Sequence, residues 1–86
     1  MKSESVSGTL WINCGRLACK KVIERSRLME GVVSAFEVQK RSPNDPDVIV
    51  NISGVTEDKI YQAKSAFETI HGVTSSAPQI GKSLMY

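Results

Sequence analysis

Three kinds of side chain in this sequence carry chemistry of their own. Both cysteines, Cys14 and Cys19, fall within the stretch WINCGRLACKKV. Two thiols separated by four residues raise the question of a metal or redox site, because the thiolate is both a soft metal ligand and the nucleophile of disulfide exchange. The sole histidine is His71, the side chain whose charge changes near neutral pH. Asp45, Asp47, Glu57 and Asp58 form the acidic cluster. Catalysis needs some of these groups to converge, and their places along the chain speak against it. His71 falls at the end of a helical segment, where an imidazole complements the negative end of the helix dipole. The acidic residues fall in a loop and at a helix start, where carboxylates are common for structural reasons. SVSG and ISGV lack the spacing of a phosphate-cradling loop. Residue chemistry thus predicts a chain that is not an enzyme and uses no cofactor.

The cysteine spacing itself has a structural explanation. Cys19, Val22, Ile23, Ser26 and Met29 recur at intervals of three and four, which predicts one face of an amphipathic helix over 16–30. On such a face cysteine behaves as a small hydrophobe. Cys14 precedes the helix and is left as the thiol with access to solvent. The segment ACKKVIERSRLMEGVVSAFEV resembles the corresponding helix of heavy-metal-associated domains, which place two thiolates between the first strand and the first helix. Those domains use C-x-x-C, so that both sulfurs reach one ion, whereas four residues separate the thiols here. A metal carrier using Cys14 and Cys19 is therefore a subordinate alternative.

The elements that must position these groups come in a repeated pattern. Residues 28–36, LMEGVVSAF, align with 69–77, TIHGVTSSA, at a displacement of 41, matching Gly31 with Gly72, Val32 with Val73 and Ser34 with Ser75. Each half reads as strand, helix, strand. In the first, 6–13 alternates Leu10 and Ile12 against Thr9, Trp11 and Asn13, the helix over 16–30 follows, and Gly31 stops it. A strand over 32–40 sets Val32, Phe36 and Val38 on one side and Val33, Ala35 and Glu37 on the other. The Pro-, Asn- and Asp-rich RSPNDPD is a turn. In the second half, DVIVNIS forms a β-branched strand over 47–53 that Gly54 breaks. Thr56 caps a helix whose stripe is Ile60, Ala63, Phe67 and Ile70, and a last strand over 73–80 carries Pro78, a mark of an edge.

These elements predict an α+β, ferredoxin-like βαββαβ domain: a four-stranded antiparallel sheet with both helices on one face. The chain is read as a single domain over 1–86, with its core at 6–80 and tails at 1–5 and 81–86. Trp11 would then lie on the uncovered face beside Val33 and Ala35, where apolar surface is costly to leave in water. Those three are the candidate dimer-interface residues.

Composition fits a soluble cytoplasmic protein: 41% hydrophobic and 23% charged, with no apolar run of membrane-spanning length and no export or lipidation signal. The net charge of +2 is too small for a phosphate-tracking surface, and the cluster Lys20, Lys21, Arg25 and Arg27, interrupted by Glu24, reads as a solvated helix face. Neither direct nucleic-acid binding nor membrane association is expected.

Taken together, TLWINCGRLACKKVIERSRLMEGVVSAFEVQ, DVIVNIS and AFETIHGVTSSAPQI resemble the effector-binding (RAM) domain of the leucine-responsive regulatory protein/AsnC family, in its stand-alone form without a helix-turn-helix. The resemblance covers 9–80. It implies a homodimer with two open sheets facing each other, a dimeric α+β barrel, often assembled further, and a small effector such as an amino acid bound between subunits. It also implies transcription regulation through a DNA-binding family member as partner. The family's Gly-x-Tyr-Asp turn aligns with Asn44, Asp45, Pro46 and Asp47, of which only the final Asp matches; Asn44, Asp45 and Asp47 become the candidate effector-binding residues. Asn44 replaces Gly if the turn needs a left-handed backbone. An alternative resemblance is to the maturation chaperones of periplasmic nitrate reductase, which share the βαββαβ order and would offer the open sheet to a peptide.

Overall fold

The computed structural model describes residues 5–82. Seven elements follow in order: β1 (Val6–Asn13), α1 (Arg16–Ser26), β2 (Val32–Glu37), β3 (Val48–Val55), α2 (Glu57–Glu68), β4 (Thr74–Ser75) and β5 (Gln79–Lys82). The strands form one antiparallel sheet in the order β2-β3-β1-β4, with β5 also paired to β1. The fold is thus a small α+β domain with an antiparallel sheet and two helices. None of its helices is long and apolar enough to cross a membrane, among the described residues.

Period-two alternation decides which side of the sheet meets the helices. Leu10 and Ile12 of β1 and Val48, Val50 and Ile52 of β3 are buried, and they share one cluster with Cys19 and Val22 of α1 and Ile60, Ala63 and Phe67 of α2. Burying side chains of this size contributes roughly 1.5–3 kcal/mol each, so this two-layer core is the main source of stability. Of the helix stripes read from the sequence, Cys19, Val22, Ser26, Ile60, Ala63 and Phe67 are buried and Ile23, Met29 and Ile70 partly so, and Lys20, Lys21, Arg25 and Arg27 are exposed on the outer side of α1 and the turn after it.

Several boundaries differ from the sequence expectation, each for a local reason. The helix predicted over 16–30 ends at Ser26. The buried Ser26 hydroxyl donates to the Ile23 carbonyl at 2.6 Å, and the following amides of Leu28 and Met29 reach back three residues to Arg25 and Ser26, a tightened turn rather than another helical one. Gly54 does not break β3; the strand continues through it to Val55 with Gly54 at φ +73°. Thr56 does precede α2, in an extended conformation, but its side chain makes no capping hydrogen bond.

Among the described residues the sheet has five strands instead of the expected four, because the last strand is interrupted. Ile12 pairs with Ser75 and Thr9 with Gln79, so three steps along β1 oppose four along the other chain segment. Pro78, which has no amide hydrogen to give, lies within that interruption. The segment expected as a tail from residue 81 instead begins inside β5, where Gly81 pairs with Ser7. The rest of that tail, 83–86, lies outside the described residues.

The repeat places Gly31 and Gly72 at equivalent helix exits, and both adopt positive φ, +88° and +83°. Their surroundings differ. A Cβ on Gly31 would run into Cγ1 of Val55, whereas one on Gly72 would meet open space. Gly72→Ala should cost only the backbone strain, about 1–2 kcal/mol. Gly31→Ala adds a steric conflict with a core side chain and should cost at least about 1 kcal/mol more. Urea unfolding of the two variants checks the ordering.

Candidate binding site on the open sheet face

The residues that alternate with the core positions make up the face without helices. On β1 and β3 the cross-strand pairs Trp11↔Ile49 and Thr9↔Asn51 lie on this face, and β2 extends both rows with Phe36↔Ile49 and Ser34↔Asn51. One row, Trp11, Ile49 and Phe36, is apolar; the next, Thr9, Asn51 and Ser34, is polar. Trp11 and Ile49 are partly buried by their neighbours, while Phe36 at the edge is 47% exposed.

The polar row is internally hydrogen-bonded. Thr9 Oγ1 donates to Asn51 Oδ1 at 3.0 Å, and Asn51 Nδ2 donates to Ser34 Oγ at 2.9 Å. The amide of Asn51 is thereby oriented across three strands. Beside it lies a shallow concavity of about 380 Å³, lined by Ser7, Thr9, Val33, Asn51, Ser53 and Gln79 among others. Its hydroxyls and amides offer both donors and acceptors, with Val33 as an apolar wall. Such a lining can hydrogen-bond a polar group and pack an apolar one.

The structure rearranges the predicted interface set. Trp11 and Val33 lie on the open face as expected. Ala35 does not: it pairs with buried Val50 and packs against the core. The cause is a register shift between Val32 and Ser34, where two residues of β2, Val33 and Ser34, take the space of one step along β3. A bulge reverses the inside-outside assignment of everything after it, turning Ala35 inward and Phe36 outward. Phe36, Ile49, Thr9, Ser34 and Asn51 were not among the candidate residues. Asn51 had a sequence signal, a lone amide inside the β-branched run VIVNIS; Phe36 had none short of knowing the bulge.

Asn44, Asp45 and Asp47 lie away from this concavity, in the loop between β2 and β3, and have local partners. The Asp45 carboxylate accepts from the amides of Arg41 and Ser42 at 2.9 and 3.1 Å, and the Asn44 amide donates to Ser42 Oγ at 3.2 Å. These bonds close the turn as Asx-type contacts do. Asn44 is exposed and, like every described residue other than three glycines, has no positive φ, so this turn does not use a left-handed asparagine. Asp47 accepts from the Cys14 amide at 2.9 Å through Oδ2 and pairs with Lys40 at 3.3 Å through Oδ1.

Cys14 and Cys19, five positions apart, bring their sulfurs to 3.1 Å. Cys19 is buried in the core and Cys14 is partly exposed. Burial, the Cys19 hydrogen bond, and the charges of Cys19, Asp47 and Glu37 all disfavour a thiolate on Cys14 and push its pKa up to about 12. No three His, Cys, Asp or Glu side chains gather to hold a metal ion, among the described residues. The two sulfurs are also closer than the roughly 3.8 Å that two thiolates span on a tetrahedral zinc with 2.3 Å bonds. His71 is exposed and borders a groove between α1 and the end of α2 with Lys21, Arg25 and Thr69. Across α2, Lys64 and the Ser75 hydroxyl hold Glu68 at 2.8 and 3.1 Å and lower its pKa below the usual carboxylate value, with the Lys64 hydrogen bond the larger cause.

No family model matches the sequence, and no relative is found among curated proteins. Among solved structures the chain is similar to SnoaB, a cofactor-independent oxygenase from Streptomyces nogalater. The two share 12% identity over 95% of this chain and 93% of that one, with a TM-score of 0.48. The expectation that the chain is not an enzyme is corrected at this point. It rested on residue types alone and is withdrawn beside a neighbour described as a cofactor-independent oxygenase; that description is SnoaB's and assigns no activity to this chain.

The raised Cys14 pKa has a consequence for stability. An unfolded Cys14 titrates near its ordinary 9.0, the folded one near 12. Below about pH 9 both states keep the proton; between the two values the unfolded chain loses it and the folded chain holds it, so stability falls as pH rises through that window. Wild-type protein should lose more stability than Cys14→Ser on going from about pH 8 to about pH 10.5, read as the shift in urea midpoint of each.

Proposed function

We propose that this chain is a ligand-binding assembly module. It pairs face to face with a second copy through the Trp11, Ile49 and Phe36 row, and holds a small molecule against the Thr9, Asn51 and Ser34 row. The observation that carries this reading is the juxtaposition of those rows: an apolar strip with an exposed aromatic end, adjoining an ordered hydrogen-bonding strip and a concavity, on a face that no helix covers. A domain of this size has little core with which to offset an uncovered aromatic strip, and burial in a dimer supplies what the monomer lacks. Aromatic residues at the centre and polar groups at the border are also the usual composition of an interface.

In its finer form the reading treats the domain as a ferredoxin-like βαββαβ unit whose last strand is interrupted, and the dimer as a barrel of two such units. The RAM-domain resemblance supports that form, since it implies facing sheets with an effector between subunits. The effector class is then a free amino acid: its ammonium and carboxylate suit the mixed donors and acceptors of the polar row, and its side chain suits Val33. Regulation of transcription follows through a DNA-binding partner of the same family.

Light scattering across a concentration range tests the assembly. Wild-type protein should have at least the mass of a dimer, and Trp11→Glu and Phe36→Glu should each shift it to monomer at micromolar concentration. Because Trp11 is the only tryptophan, its emission should move to shorter wavelength as the dimer forms and change again when the right amino acid is added. Asn51→Leu should abolish the second change and leave the first. A wild-type monomer at every concentration that takes up an extended peptide would favour the chaperone-like alternative instead.

A further inference from the structure

Cys14 and Cys19 sit away from the open face, at the corner where β1 passes into α1. Gly15, extended at φ −72° and ψ 165°, turns the chain, and its carbonyl accepts the Cys19 amide at 3.1 Å as the first helical hydrogen bond. This turn folds residue 19 back over residue 14 and sets the two sulfurs 3.1 Å apart, about 1 Å beyond the length of a disulfide bond. Two further features distinguish the pair from a chance contact. The backbone of Cys14 is fixed by the 2.9 Å hydrogen bond from its amide to Asp47. The two thiols also differ in access, since Cys14 is reachable from solvent while Cys19 is 6% exposed within the core cluster.

We infer that Cys14 and Cys19 form a reversible intramolecular disulfide, in which Cys14 reacts first with a small disulfide oxidant and Cys19 resolves the adduct. In the first step Cys14 loses its proton to solvent and its sulfur attacks one sulfur of the oxidant R–S–S–R. The oxidant's bond breaks, and one R–S⁻ departs and takes up a proton. Cys19 then loses its proton and attacks Sγ of Cys14, expelling the second R–S⁻, which is protonated in turn. The two cysteine sulfurs give up two electrons, the oxidant accepts them, and two R–SH are released. A reductant of the dithiol class reverses the sequence. The new bond links two residues that the turn already holds together, so the fold is retained.

The groups facing Cys14 set the rate. Cys19 from α1, Asp47 at the entry to β3 and Glu37 at the end of β2 all disfavour its thiolate, as does burial, and Lys40 is engaged with Asp47. Cys14 is held as the thiol at neutral pH, and oxidation of the pair should accelerate about tenfold per pH unit toward alkaline pH, in step with the Cys14 thiolate fraction.

The test is incubation of the full chain with oxidised glutathione, quenching with iodoacetamide and peptide mapping by mass spectrometry. The expected result is a single-chain product, free of crosslinks between chains and lighter by two hydrogens, its Cys14 and Cys19 peptides joined and resistant to alkylation until dithiothreitol is added. Cys19→Ser should stop at a glutathione adduct on Cys14, and Cys14→Ser should gain neither adduct nor crosslink. The wild-type measurement does not depend on either variant folding. Two cysteines that remain alkylatable after prolonged exposure at alkaline pH, crosslinks only between chains, or a Cys19→Ser variant with no adduct would each overturn the inference. Stoichiometric zinc uptake that blocks both thiols, with no disulfide on removal of the metal, would overturn it as well.

Discussion

Asp47 holds together the end of the sheet on which the rest of the structure depends. Its amide donates to the Ile12 carbonyl at 2.8 Å and its carbonyl accepts from Val38 at 2.9 Å, so the backbone alone ties β3 to the ends of β1 and β2. Its carboxylate then reaches the Cys14 amide and Lys40. A charged acceptor on a backbone amide makes a stronger hydrogen bond than a neutral one, and here it sets the point where β1 stops and the chain turns toward α1. The spacing of the thiols, the position of Trp11 three residues earlier and the closing of the 38–47 loop all follow from that corner. The residue singled out in the sequence for a ligand is, in the fold, a clasp.

Local periodicity made much of this architecture legible. Leu10, Ile12, Val48, Val50 and Ile52 alternate, and Cys19, Val22, Ile60, Ala63 and Phe67 recur with helical spacing; all are buried where those patterns place them. The repeat of Gly31 and Gly72 marked two left-handed positions in the turns that follow the helices, although α1 itself ends earlier, at Ser26. The features that periodicity did not reveal share one physical origin, in irregularities that pattern alone does not encode. The bulge before Ser34 inverts β2 and exchanges Ala35 for Phe36 on the open face. The extra residue near Pro78 splits the last strand, and a serine hydroxyl ends α1 four residues early. Each is a single hydrogen bond or a single extra residue, well below the resolution of a hydrophobic period.

The candidate site was legible to a lesser degree. Trp11 announced the open face because a large aromatic side chain out of phase with the core positions must point to the opposite side of its strand, where it meets water or a partner. Its companions come from β2 and β3, and register, which no single strand contains, decides which of them stand beside it. Asn51 shows the difference between composition and geometry. In sequence it is one polar residue in an apolar strand; in the sheet its amide joins Thr9 to Ser34 and gives the face a fixed pattern of donors and acceptors.

The two irregularities that obscured the strand pattern bear on how copies of the chain can meet. A sheet edge with free amides and carbonyls invites another strand, and repeated addition leads to ribbons that grow without limit. Here the outer strand on one side, β2, is kinked by its bulge, and on the other side β4 and β5 are parted by a stretch containing a proline. Neither border offers a long, flat template. Among the described residues lateral growth is frustrated at both borders, whereas the face-to-face contact proposed above would use up the surface it needs and leave none for a third copy, so the same defects that disturb the alternation favour a proposed assembly that closes over one that propagates.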